Sequence, residues 1–337
     1  MDRPRNPIIP LTLLFSLILC LCPPLFALAR EKTDNLDEVV FIPQWMPQAQ
    51  FAGFYMAEEK GFFRERGLAV RILEGGPAMA PSELLADGRA DFGTMFLSRA
   101  LQVRGQGREV VNLAQLVQRS SLMLVARRSG GITRPADLEG RRVGLWGDEF
   151  QVQPRAFFRK YALRVEPVDQ GTTVNLFLRG GVDVASAMWY NEYHLLLNAG
   201  LDPEELTTFF FFDHDLNFPE DGIYCLASTL ADRPEVARRF VSAALEGWRY
   251  AFAHPEETVE VVLRRAEAAK VPTNRAHQHW MLARMQDIML PPESAGRFGV
   301  LRPEDYERVG RALREAGLLD DFPAHEDFFR DVGGGEK

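Results

Sequence analysis

Val39-Val40-Phe41-Ile42-Pro43-Gln44-Trp45 is an apolar run that ends on a tryptophan, and farther along the chain Arg142-Val143-Gly144-Leu145-Trp146 repeats the form. Each reads as a buried strand, and the segments downstream of the two are alike. After the first, apolar residues recur at helical spacing from Gln50 to Phe63, with Gly61 and Gly67 marking the end. Leu68 to Leu73 alternates as a second strand and leads into Gly75-Gly76-Pro77; a short helix around 82–86 stops at Gly88, and Ala90 to Phe96 reads as a third strand. After the second come a helix over Gln153–Tyr161, a strand over Leu163–Val168, the turn Gly171-Thr172-Thr173, a helix over Val174–Arg179 and a strand over Val182–Met188. Trp45 pairs with Trp146, Gly76 with Gly171, Gly88 with Gly180 and Asp91 with Asp183. Correspondence at all of these positions predicts an α/β protein made of two βαβ lobes.

Leu113–Arg127 is an apolar stretch able to carry the chain from one lobe to the other, and Gly222–Ala227 is able to bring it back. Two such crossings make a two-strand hinge, which is what closure around a ligand requires. The expected organisation is residues 36–120 plus 225–330 in a discontinuous first lobe and 121–224 in the second. Extra C-terminal helices are expected over 234–253, 255–269, 274–289 and 303–316, each opened by a proline or a capping residue.

The composition agrees with a globular chain: 337 residues, 46% hydrophobic and 26% charged. A formal charge of −8 gives no electrostatic attraction for nucleic acid or an anionic membrane face. Residues 1–29 read as an export leader: Arg3 and Arg5 precede an apolar run from Ile8 to Leu21, and Ala27-Leu28-Ala29 offers the small-x-small cleavage pattern. Pro10, Pro23 and Pro24 break that run, so it is a poor membrane span. Cleavage near Ala29 and a periplasmic location are therefore expected. Cys20 and Cys22 leave with such a leader, and the single remaining Cys225 excludes an intramolecular disulfide and any cysteine-rich metal site in the mature chain.

In open α/β sheets ligands sit beyond the carboxyl ends of the strands, where loops and helix starts converge. That rule selects Trp45, Gln48, Gln50, Gly75, Gly76 and Met95 from the first lobe, and Trp146, Asp148, Thr172, Trp189, Tyr190, Asn191 and Glu192 from the second. Their chemistry suits a flat ring: tryptophan and tyrosine offer stacking faces, amides offer hydrogen bonds, and a carboxylate accepts from an amino edge. Trp189 and Tyr190 are adjacent, so only one of them points readily into a cleft from an extended segment. The predicted guest is a small planar nitrogen heterocycle.

The residues Trp45-Met46-Pro47-Gln48-Ala49-Gln50, Gly53-Phe54-Tyr55-Met56-Ala57, Lys60-Gly61-Phe62-Phe63, Gly67-Leu68, Val182-Asp183 and Tyr190-Asn191-Glu192 carry a resemblance to a known family. Over roughly residues 37–260 the chain resembles the periplasmic solute-binding proteins of the thiamine-pyrimidine group, which feed ABC importers. Their wider family includes sulfonate binders, flavin binders and the eukaryotic hydroxymethylpyrimidine phosphate synthase. The resemblance implies a type II periplasmic-binding-protein fold, a formylaminopyrimidine or hydroxymethylpyrimidine type of ligand, an inner-membrane permease as partner, Trp45 and Tyr190 stacked on the ring, and Glu192 at its amino edge. The synthase branch carries a histidine near the stretch matching Gln48–Phe51 and a cysteine-rich iron-binding motif, and this chain has neither. The segments 115–121, 146–148 and 217–224 are richer in polar and aromatic residues than a generic binder requires, which leaves room for a different guest, a flavin or a sulfonate being the alternatives.

Asp213-His214-Asp215 and His277-x-His279 are the metal-like clusters. Helical residues two apart face different ways, so the second is a poor chelate. No P-loop and no Gly-x-Gly-x-x-Gly after a strand occurs. The sequence thus predicts a monomeric, non-enzymatic binding protein without cofactor, metal or catalytic residue; a sensory module docking on a membrane signalling protein is the alternative within the same fold.

Overall fold

The computed structural model describes residues 36–294 and 297–332, without the side chains of Asp148, Glu149 and Ser294. The leader assigned to 1–29 and the candidate side chain of Asp148 lie outside the described residues. The strands, in chain order, are β1 (Asp37–Ile42), β2 (Leu68–Ile72), β3 (Phe92–Phe96), β4 (Val110–Gln115), β5 (Leu122–Arg127), β6 (Arg142–Leu145), β7 (Glu166–Asp169), β8 (Val184–Met188), β9 (Leu206–Phe210) and β10 (Asp221–Leu226). They form two five-stranded sheets, ordered β2-β1-β3-β10-β4 and β7-β6-β8-β5-β9. In each, the first strand of the repeat lies between two parallel neighbours, and the third pairs antiparallel with a strand from outside the repeat, β10 in the first sheet and β5 in the second.

The repeat read from sequence is therefore physical. Asp91 accepts from the backbone N–H of Val40 at 2.7 Å, and Asp183 accepts from the backbone N–H of Arg142 at 3.0 Å. Each carboxylate closes the start of the parallel ladder in its own sheet. Gly88 and Gly180 both take a left-handed turn just ahead of these strands, with φ of 67° and 73°.

The first sheet is covered by the helix Ala52–Glu59, buried as far as Ala57, and the long helix Pro234–Ala253. These helices touch where both carry glycine: a Cβ on Gly53 would lie 2.2 Å from the Trp248 ring, and one on Gly247 would lie 2.1 Å from the Gly53 carbonyl oxygen. Beneath that contact Phe240 stacks on Phe92 and Phe63, with ring centroids at 4.4 and 5.2 Å. The C-terminal helices fall at Pro255–Ala268, Arg275–Met289 and Pro303–Glu315, and Asn274 caps the second of these by accepting from the His277 amide at 2.9 Å.

The chain passes between the sheets twice, over Leu116–Ser121 and over Phe211–Glu220. The second passage corrects the sequence reading. Gly222–Ala227 has the apolar character expected of a link, but it is β10, a central strand buried on both sides; the crossing is the more polar segment before it. Among the described residues, no helix is long and apolar enough to cross a membrane.

Candidate ligand-binding site

The loops leaving β1 and β8 and the start of β10 meet at a group of buried polar side chains. Gln48 Nε2 donates to Gln50 Oε1 at 2.6 Å, Gln50 Nε2 donates to Asp221 Oδ2 at 2.6 Å, and Gln44 donates to the other oxygen of Asp221. From the other sheet, Glu192 accepts from the Met188 amide at 3.0 Å and from Asn191 Nδ2 at 2.8 Å. Glu220 sits in the second crossing and gathers the first: it accepts from the Ser121 amide at 2.5 Å, the Leu122 amide at 3.2 Å, and the Ser120 and Ser121 hydroxyls. Asn217 adds a further tie by accepting from the Ser120 amide at 2.9 Å.

Burial sets the protonation of these acids. It pushes Glu192 up to about 7, against the hydrogen bonds it accepts. Burial pushes Asp221 up to about 7, with Gln50 opposing. Glu220 rises to about 8 through burial, with the neighbouring Asp221 charge adding to it. No Lys or Arg contributes to holding any of the three, so at neutral pH these carboxyls share protons rather than carry three charges. Tyr190 is nearly fully buried beside them; burial first, then the charges of Glu220, Asp221 and Glu192, raise its phenol far above its ordinary range.

The residues selected from sequence divide. Gln48, Gln50, Tyr190, Asn191 and Glu192 come together here. Trp45 is half-buried in the loop after β1. Trp146, half-buried after β6, meets the Phe150 ring at 5.7 Å and donates to the Gly171 carbonyl at 3.2 Å; Phe150 in turn meets Phe96 at 5.5 Å. Trp189 turns away, edge-on to Phe210 at 5.6 Å and covered by the Arg284 guanidinium at 4.8 Å, which leaves Tyr190 as the inward residue of the adjacent pair.

Met95 is a correction. It is buried in the core with Leu101 and Tyr224, because alternation along β3 sends it beneath the sheet and turns Phe96 toward the cleft. Gly75 is a spacer: a Cβ there would meet the carbonyl oxygens of Pro43 and Trp45 at 2.2 and 2.4 Å. Gly76, with φ of 152°, holds the turn that bridges to Met79. Thr172 is exposed, on the open Gly171 loop.

Residues missed by the sequence reading are Gln44, Ser120, Ser121, Glu220, Asp221, Gln278, His194 and His277. The polar content of 115–121 and 217–224 is the signal for Ser120, Ser121, Glu220 and Asp221, and His277 stands out only as half of His277-x-His279. The space between Phe96, Phe150, Gln153, Phe218 and Glu220 is about 20 Å³, enough for about one water. Pockets for organic ligands start at about 300 Å³, so this space as it stands is too small for a ring. A larger cavity of about 210 Å³ lies elsewhere, beyond β4 between Arg104, Leu230 and Arg330, and touches none of these groups.

The profile of the family described as NMT1/THI5 like matches residues 48–258. The chain belongs to the NMT1/THI5-like family. Among its relatives is the formylaminopyrimidine-binding protein of Halalkalibacterium halodurans, 26% identical over 311 residues, which span 89% of this chain and 91% of that one. Another is the 4-amino-5-hydroxymethyl-2-methylpyrimidine phosphate synthase of Aspergillus parasiticus, 23% identical over 263 residues, 72% of this chain and 74% of the synthase. The periplasmic aliphatic sulphonate binding protein SsuA of Escherichia coli superposes with a TM-score of 0.69 at 14% identity, over 88% of this chain and 92% of that chain. The fold is thus that of periplasmic binding proteins, with helices added at the C-terminal end. Among the described residues no group of three or more His, Cys, Asp or Glu is placed to hold a metal ion. His277 and His279 face different ways, toward His194 and Glu256.

Proposed function

We propose that this protein is an exported, non-enzymatic solute-binding protein that closes on a small aminopyrimidine-type heterocycle and presents it to an ABC importer. The observation that carries the reading is the set of carboxyls pushed up to between about 7 and 8 around Tyr190, with no basic residue to neutralise them. An aminopyrimidine edge offers an N–H donor beside a ring-nitrogen acceptor. A carboxyl that keeps its proton near neutral pH offers the matching pair, its O–H donating to the ring nitrogen and its carbonyl oxygen accepting from the amino group. A sulfonate has only acceptors and finds no cation here. The name of the Halalkalibacterium halodurans relative supports the same ligand class.

Closure follows from contact with both walls, since only a ligand that favours the closed form shifts the equilibrium toward it. The test is thermal unfolding and tryptophan fluorescence with formylaminopyrimidine, an alkanesulfonate and riboflavin added in turn. Ligand at 100 times its dissociation constant adds ~2.7 kcal/mol. Stabilisation by formylaminopyrimidine alone is expected; stabilisation by the sulfonate or the flavin alone would replace this reading.

A further inference from the structure

Adjacent residues of the helix Arg275–Met289 reach opposite walls of the cleft. Gln278 Oε1 accepts from the Ala49 amide at 2.7 Å, on the loop that carries Gln48 and Gln50. His277 reaches the other wall: its Nδ1 lies 2.9 Å from Nδ1 of His194, on the helix Glu192–Asn198 after β8, and its Nε2 lies 2.9 Å from Asn191 Oδ1. Trp280, one turn on, stacks on His194 with centroids 4.8 Å apart and donates from Nε1 to the Trp189 carbonyl at 3.0 Å. The far end of this helix is tied to the first crossing, where the amides of Gln118 and Arg119 both donate to the Ile288 carbonyl at 3.0 Å. At 1.5 Å per residue the histidine pair is about 16 Å along the helix from that tie.

The placement of the Asn191 amide assigns the protons. Asn191 Nδ2 donates to Glu192, so Asn191 Oδ1 accepts and His277 carries its proton on Nε2. Its Nδ1 is then bare, and His194 must donate through its own Nδ1. Asn198, whose amide nitrogen is placed 3.3 Å from that same nitrogen, fits this arrangement with its amide turned over. A first added proton goes to the outer Nε2 of His194 and leaves the shared bond in place. A second can go only to Nδ1 of His277, where two N–H groups would then face each other across 2.9 Å.

We propose that His194 and His277 form a latch that joins the two walls of the cleft and positions Asn191 and Glu192 for the ligand, holding through the first added proton and parting on the second. Its surroundings favour the neutral pair. His277 lies in the first turn of its helix and His194 in the first turn of the other, where the backbone dipole opposes a cation. Burial, with His194 as a second cause, pushes His277 down to about 4, and burial also lowers His194. The charged and titratable groups around the pair are Glu192 through Asn191, Tyr193 with Glu204 beyond it, and Arg284 with Asp287 across Trp280. Arg275 and His279 lie on the same helix as His277 and pair with Glu260 and Glu256 of the helix Pro255–Ala268.

The latch presupposes that the cleft is a ligand site and not which ligand enters, so it is tested on the ligand-free, full-length chain. Nitrogen-15 spectra of histidine-labelled protein, assigned with His194→Gln and His277→Gln, report tautomer and titration of each ring. The expected pattern is His277 protonated on Nε2, titrating well below free imidazole, and moving up by about one unit in His194→Gln as the neighbouring charge is removed. Small-angle scattering from pH 6.5 down to 4 should show the wild-type chain expanding and the His277→Gln chain keeping one radius. An Nδ1–H tautomer of His277, free-imidazole titration unmoved by His194→Gln, or equal behaviour of the two chains in scattering would each overturn the proposal. The tautomer is read in the wild-type protein, so the test survives a variant that fails to fold.

Discussion

The two halves of the repeat share a backbone and differ in what they hang on it. After β1 the connecting loop is held by Gln44 and Gln50, which donate to Asp221, and by Gln48, which donates to Gln50, and it passes so close to the β2 loop that only glycine fits at position 75. After β7 the loop that corresponds to the β2 loop is open: Gly171 and Thr172 are exposed, and a Cβ on Gly171 would touch nothing within 4 Å. The second half makes its contribution one strand later, with Tyr190, Asn191 and Glu192 at the start of a helix. Duplication of a scaffold therefore does not duplicate its site. One half supplies a floor of hydrogen-bonded amides and the other a wall borne on a helix.

The sharpest way to break this contrast is to add the same methyl group to both loops. Gly75→Ala drives a Cβ into the Pro43 and Trp45 carbonyls at 2.2 and 2.4 Å, and backbone atoms cannot step aside as a side-chain tip can. It should cost about 3 kcal/mol in urea unfolding and weaken ligand binding by displacing Trp45. Gly171→Ala should stay within about 0.5 kcal/mol. Equal costs would show that the loops are alike after all.

Glu220 joins the halves, so its loss comes next. Glu220→Ala leaves the buried Ser121 amide without its acceptor and the Leu122 amide with Ser120 Oγ alone, and should cost about 2 kcal/mol. Its pH dependence runs opposite to that of the histidine latch. Burial raises Glu220 from 4.5 to about 8, Glu192 from 4.5 to about 7 and Asp221 from 3.8 to about 7, so their contribution is complete below the ordinary carboxyl range and is lost as pH climbs to 7–8. His277, lowered from 6.5 to about 4, contributes fully above 6.5 and loses its share as pH falls toward 4. Stability of the ligand-free chain should peak on the acid side of neutrality. Glu220→Gln should flatten only the alkaline limb and His277→Gln only the acid limb. A single variant that flattened both would merge the two joints into one.

The sequence exposed what depends on local spacing. Helical spacing, alternation and glycine punctuation located the βαβ order, and the adjacency of Trp189 and Tyr190 limited to one the residue of that pair able to point readily into a cleft. It misled where the face of a buried strand mattered: β3 is buried throughout, and apolar character does not separate the adjacent Met95 and Phe96. The return crossing escapes for a related reason, since apolar character marks a central strand as readily as a link. The contacts of Glu220, Asp221 and His277 are not legible at all, because their partners lie between 83 and 177 residues away. Spacing draws the eye from His277 to His279, while the actual partner of His277 stands on a different helix.

The smallest expected effect concerns what the halves have kept in common. Asp91 receives the Val40 amide and pairs with Arg233 at 2.9 Å; Asp183 receives the Arg142 amide and pairs with the Arg142 guanidinium at 2.8 Å. Both side chains are partly exposed, with relative accessibilities of 26% and 31%, so water can take over some of what substitution removes. Asp91→Ala and Asp183→Ala should therefore each cost about 1 kcal/mol in urea unfolding, and Asn at either position should recover part of it, since an amide oxygen still accepts the strand N–H. A similar loss at both sites would mean that this ladder-closing carboxylate is a property of the repeated strand itself. A marked difference would instead place its value in the arginine: Arg233 reaches Asp91 from a C-terminal segment with no counterpart in the second half, whereas Arg142 belongs to the very strand that Asp183 closes.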